Sequence, residues 1–138
     1  MQNVMIPKGR LLPSLLLGLY IAAIAVLCFI KPDNLPSVEK NLFGIPMDKA
    51  VHFLMFLPYP AIAFAVIHDR EASLKKHSTA LASIFIIGLL LAYGTELLQA
   101  GTGYRSYETK DFAADAAGMA IGCLLPVIRI ICDRYRKK

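Results

Sequence analysis

The stretch MDKAVHFLMFLPYPAIAFAVI, Met47–Ile67, decides the fold. After Lys49 it is apolar except for His52, and about 20 residues of helix span roughly the 30 Å of a bilayer's hydrocarbon core. Runs of similar length and character recur at residues 11–30, 79–99 and 111–131. The chain has 138 residues, and with 57% of them hydrophobic and only 18% charged it exposes too few polar groups to coat a small soluble domain. The expected fold is all-α. Residues 1–138 form a single membrane domain, a polytopic four-transmembrane-helix bundle with helices at about 11–30, 48–67, 79–99 and 111–131.

Lys8 and Arg10 precede the first run as they would in a secretory signal. The run is longer than an h-region of roughly 7 to 15 residues, and it ends in Phe29, Ile30 and Lys31 without a small-residue cleavage site. It reads as a retained span. Lys8, Arg10, Arg70, Lys75, Lys76, Arg129, Arg134, Arg136, Lys137 and Lys138 fall at one face, against Lys31, Lys40, Lys49, Arg105 and Lys110 at the other. That asymmetry places both termini in the cytoplasm. The net charge of +5 is thereby explained by orientation and by attraction to anionic lipid, and nucleic acid is not expected as a partner. Cys28, Cys123 and Cys132 lack metal-ligand spacing and read as free thiols within or beside helices.

The outer loop at residues 31–47 is rich in proline, and Leu35, Val38, Leu42 and Phe43 are spaced for one or two amphipathic turns on the membrane surface. The short links HDREASLKKHS and AGTGYRSYETK make the second, third and fourth spans antiparallel neighbours. In the first of these, His68 and His77 read as solvated loop residues. Pro58 and Pro60 predict a kink or break in the second span, with the carbonyls of Leu54 and Phe56 in need of partners. Gly118 and Gly122, one turn apart among alanines, allow close backbone approach. Packing within the monomer is preferred over an oligomer at that face.

The acidic residues are unevenly spread. Asp33, Glu39, Asp48, Glu96, Glu108, Asp111 and Asp115, seven of the ten, lie on the outer side. Asp48 and His52 are one turn apart on the second span, Glu96 and Gln99 share a face of the third, and Asp111 and Asp115 share a face with the glycines of the fourth. An ionised carboxylate facing lipid about a turn inside the boundary costs on the order of 3 kcal/mol, so Glu96 and Asp115 are expected to point inward. Lys49, Lys110 and Arg105 are the available counter-ions, and the guanidinium fork of Arg105 fits a carboxylate or phosphate best. The candidate ligand-binding set is Asp48, Lys49, His52, Glu96, Gln99, Arg105, Asp111 and Asp115.

DKAVHFLMF, ELLQ and RSYETKDFAADAAGMAIG, spanning Asp48 to Gly122, resemble the VanZ-like membrane proteins, a family named for a protein of glycopeptide-resistance clusters. Position 115 is often asparagine in such sequences, so Asp115 is a departure that adds a negative charge. The resemblance implies a small multi-pass protein of the bacterial inner membrane, with a link to teicoplanin-type resistance and the cell envelope. It supplies no reaction.

Three readings stand. In the first, an outer-leaflet pocket binds a lipid headgroup, a lipid-linked envelope precursor or a lipophilic glycopeptide, with Lys49, His52 and Arg105 on its phosphate or carboxylate. In the second, a membrane enzyme acts on such a lipid, with His52, Glu96 or Asp111 as the catalytic candidates. No nucleophile motif and no HExxH supports it. In the third, the charges pair only with each other as polar glue. Asp48, His52, Glu96, Asp111 and Asp115 have ligand types suited to a divalent metal but no spacing that selects one, so neither metal nor cofactor is expected.

Overall fold

The computed structural model describes residues 8–29, 41–42, 44–103 and 106–136. Six helices follow in order: α1 (Lys8–Phe29), α2 (Met47–Phe56), α3 (Tyr59–Ile67), α4 (Leu74–Gly101), α5 (Thr109–Gly122) and α6 (Leu124–Tyr135). They make four segments long and apolar enough to cross a membrane: Gly9–Leu27, Met47–Ile67, Leu74–Gly101 and Thr109–Tyr135. The expected four-span helical bundle is therefore present.

The second span is two helices. Leu57 (φ −57°, ψ −47°) and Pro58 (φ −79°, ψ −15°) stay helical in backbone angle, so the chain kinks there rather than looping out. Pro58 has no N–H to give Leu54, and Pro60 sits in the first turn of α3, where a missing donor costs nothing. The Tyr20 hydroxyl of α1 donates to the carbonyl of Met55, which lies between the Leu54 and Phe56 carbonyls whose donors the prolines remove, so a neighbouring helix supplies one polar contact at the break.

The fourth span also divides, at Cys123, which the run of residues 111–131 gave no reason to expect unless Pro126 is weighed. Pro126 deprives the Gly122 carbonyl of a donor. The third span is longer than the apolar run because Ser73 caps it, its side chain accepting from the Lys76 N–H at 3.2 Å.

Packing is closest between α2 and α5. A Cβ at Gly118 would strike the Phe53 carbonyl oxygen, and one at Gly122 would strike that of Leu57, so glycine is what lets these backbones meet. Gly88 of α4 likewise leaves room for the Met119 sulfur and the Tyr59 ring. Phe56, Tyr59, Phe64, Ile84, Ala92, Met119 and Ile130 form the core. Leu15, Leu19, Leu90, Leu97 and Ile128 face outward, as lipid-facing side chains must.

Ahead of α2 a minimal antiparallel pair, β1 (Asn41–Leu42) and β2 (Ile45–Pro46), turns at Gly44, whose φ of +83° favours glycine. Leu42 thus stands in a strand rather than the expected amphipathic turn. Leu35, Val38 and Phe43 lie outside the described residues.

Candidate functional site

One end of the bundle gathers ionisable side chains from three spans. Asp48, Lys49 and His52 come from α2, Glu96 and Gln99 from α4, and Asp111 and Asp115 from α5. Local structure explains the first group: β2 delivers the chain directly into α2, and one helical turn then separates Asp48 from His52. The α2–α5 approach at Gly118 brings the next turn of α5, with Asp115, against His52. His52, Glu96 and Asp115 are 2%, 1% and 0% exposed, and Gln99 and Asp111 are buried with them.

The site has an outer and an inner tier. In the outer tier the Lys49 ammonium donates to Asp48 Oδ2 at 2.9 Å, to Glu108 Oε2 at 3.1 Å and to Asp111 Oδ1 at 2.7 Å. Three carboxylates thus share one cation. In the inner tier His52 Nδ1 lies 3.0 Å from Asp115 Oδ1 and 3.7 Å from Glu96 Oε1, while Nε2 lies 3.6 Å from Asp111 Oδ2. Asp111 belongs to both tiers. The Glu108 N–H donates to Glu96 Oε2 at 3.4 Å, linking the loop before α5 to α4. Asp115 Oδ2 is buried without a hydrogen-bond partner among the described residues.

Seven of the eight candidate residues therefore fall in one region, with His52, Glu96, Gln99, Asp111 and Asp115 buried and Asp48 and Lys49 half-buried at its edge. Arg105 lies outside the described residues. Glu108 was read from sequence only as one of the outer acids; its direct contact with Lys49 depends on how the loop before α5 crosses to α2, which no spacing along one helix reveals.

A second cluster occupies the opposite end, and it corrects the reading of His68 and His77 as solvated. His77 is buried in the first turn of α4, its Nε2 2.9 Å from the Asp69 carbonyl. His68 stacks on it with ring centroids 5.5 Å apart and lies 2.9 Å from Asp133 Oδ2. Asp133, buried on α6, also meets Arg129 Nε at 3.3 Å and Arg70 Nε at 3.7 Å. Burial holds the His68 imidazole below its ordinary pKa, opposed by the Asp133 charge and reinforced by Arg129 and His77. The Glu71 N–H, 3.0 Å from Asp69 Oδ1, keeps that exposed carboxylate below its ordinary range. Arg10 Nη2 donates to the His68 carbonyl at 3.5 Å, so the start of α1, the end of α3 and the last turns of α6 share this end. An open crevice of about 640 Å³ runs beside it between Arg10, Phe64, His68, Leu125 and Arg129. The signal missed in the sequence was Asp133, an acid inside an otherwise basic tail.

Chemically, the inner tier presents three carboxylates to one imidazole. Such a set can hold a cation, accept hydrogen bonds from hydroxyl or amine groups, or orient an imidazole as a base. The family model described as VanZ/LLP1 matches residues 15–130 of the chain, which includes every residue of the two-tier site. No curated protein and no solved structure matches it.

Proposed function

The chain belongs to the VanZ/LLP1 family, and from that premise we propose that it binds the headgroup of a membrane lipid, a lipid-linked envelope precursor or a lipophilic glycopeptide. The protein is a multi-pass protein of the bacterial inner membrane with both termini cytoplasmic. The two-tier site then lies at the outer leaflet, where these ligands are found, and a change in glycopeptide sensitivity of the teicoplanin type is the expected phenotype. The excess of cations at residues 8–10, 70–76 and 129–138 supports this orientation.

The observation that carries the reading is the unpartnered Asp115 Oδ2 in a fully buried cluster drawn from three spans. Polar glue satisfies its buried atoms, because an unmet carboxylate oxygen in a low-dielectric interior costs about 1–3 kcal/mol or more. A ligand group that completes the set explains why the cost is tolerated. Among the described residues the acids of the site outnumber its cations, and Lys49 is already engaged by three of them. The site accordingly favours the hydroxyl, amine or cation-bridged part of a headgroup over a bare phosphate.

A second reading, a membrane enzyme, is favoured by one feature. Asp115 holds His52 at Nδ1, 3.0 Å away, as an orienting carboxylate holds a general base. His52→Gln and Glu96→Gln test binding or catalysis against glue. Both variants preserve size and hydrogen bonding, so the expected result is normal expression and melting temperature with loss of the phenotype produced by deleting the gene. Full complementation by both variants would leave only the structural role.

A further inference from the structure

Two groups of three potential ligands lie in the site, each with its atoms within 4.8 Å of one another: Asp48, Glu108 and Asp111, and His52, Glu96 and Asp111. They differ in what already fills them. Lys49 Nζ sits among the first three at 2.7 to 3.1 Å and serves as their cation. The inner three are all buried, and their geometry poses a problem that the outer three do not have.

The Asp115 carboxylate can only accept, so the 3.0 Å contact with His52 Nδ1 places the ring hydrogen on that nitrogen. Nε2 faces Asp111 Oδ2 at 3.6 Å, too far for a ring N–H to donate across the gap. Beside it Asp115 Oδ2 is buried without a hydrogen-bond partner among the described residues, so the buried set has room for a further positive group. A metal ion fits better: ligands about 2.1 Å from an ion at a tetrahedral angle lie roughly 3.4 Å apart. Asp115 then acts as the carboxylate that accepts from the far nitrogen of a ligating histidine, an arrangement that fixes ring orientation and tautomer.

We propose that His52, Asp111 and Glu96, whose ligand atoms lie within 4.8 Å of one another, form a three-ligand site for a zinc-type divalent cation, positioned by Asp115 and left with an open fourth position. One imidazole and two carboxylates suit an ion of intermediate softness better than calcium or magnesium, which prefer all-oxygen sets. The open position would take a phosphate or hydroxyl oxygen of the headgroup, which reconciles an acid-rich site with an anionic ligand; this deepens the binding reading given above and rests on it only for what occupies that fourth position. Lys49, bridging Asp111 Oδ1 from the outer tier, holds the shared carboxylate in place.

The test uses the full-length protein in mild detergent, stripped with a chelator and reloaded with Zn²⁺ or Co²⁺. About one ion per chain should be retained through desalting, and Co²⁺ should give the intense visible absorption of a tetrahedral site. His52→Gln and Glu96→Gln should each lose at least tenfold in affinity. Asp115→Asn keeps an acceptor for Nδ1, so it should retain the ion with a smaller loss, up to about tenfold. Wild-type protein that retains no ion and gives no tetrahedral cobalt spectrum would overturn the site, whether or not a variant folds. Equal retention by wild type and His52→Gln would do the same. Native mass spectrometry on the same samples separates the two ideas: lipid retained without metal overturns the metal site alone, and metal retained without a lipid or precursor overturns the headgroup reading alone.

Discussion

Replacing Gly118 with alanine puts one methyl group against the Phe53 carbonyl oxygen. That oxygen cannot swing aside, because it accepts from the Leu57 N–H at 3.0 Å in the turn that bridges α2 and α3. The helices must therefore separate. With a pinned backbone oxygen in the way, overpacking falls in the upper part of its usual range, about 2–3 kcal/mol, and the better helix propensity of alanine returns roughly 1 kcal/mol, leaving a net loss of about 1–2 kcal/mol. Gly94 of α4 is the control, since nothing lies within 4 Å of a Cβ there and Gly94→Ala should be neutral or stabilising by up to about 1 kcal/mol. The site should respond as well. Phe53 adjoins His52 and Gly118 lies one turn from Asp115, so a separation of about 0.5 Å would carry the His52–Asp115 contact past ordinary hydrogen-bond range. Reversible unfolding in mixed micelles against denaturing detergent measures both variants. A Gly118→Ala protein as stable as wild type, or a Gly94→Ala protein that falls with it, would refute the claim that glycine sets the α2–α5 distance.

Lys49→Met leaves Asp48, Glu108 and Asp111 without their shared cation and should cost about 2–3 kcal/mol, somewhat below the figure for a fully buried pair because Lys49 is partly exposed. Thermal unfolding in mild detergent measures it, and a Lys49→Met protein as stable as wild type would contradict the pairing. His68 binds a proton less readily folded than unfolded, so its contribution is fully present above the unfolded value near 6.5 and stability should decline as pH falls through that value, levelling once the folded pKa is passed. His68→Gln should flatten that part of the profile, and an unchanged slope between about pH 7 and pH 5 would remove His68 as its source. A periplasm-dependent reporter fused after Lys138 should be silent, and activity there would invert the proposed orientation.

The spans were legible in the sequence because length and hydrophobicity alone define them, and the kink at Pro58 was legible because a missing donor has one consequence in a helix. The matching break at Cys123 was readable from Pro126 by the same rule. The site was partly legible for a different reason: burying charge in lipid is so unfavourable that Glu96 and Asp115 had to turn inward, and His52 shares their depth. What no spacing within a helix could reveal was the pairing between helices. Asp111 Oδ1 engages Lys49, sixty-two residues away in sequence, while Arg105 lies outside the described residues. The His68, His77 and Asp133 cluster escaped because histidines between two spans look like loop residues until Ser73 is recognised as the cap that draws His77 into α4.

The close meeting of α2 with α5 bears on how the protein is made. The second span leaves the ribosome well before the fourth, and until then Lys49 and His52 lack Glu108, Asp111 and Asp115 as partners. Tyr20 can already secure the Met55 carbonyl, so the first two spans can settle together, but the charged end of α2 waits. A chain stopped after α4 would expose that end to lipid at a cost on the order of 3 kcal/mol for each charge left unpaired. Versions of this protein that lack the fourth span should therefore lose stability out of proportion to the residues removed, because α5 completes what α2 began.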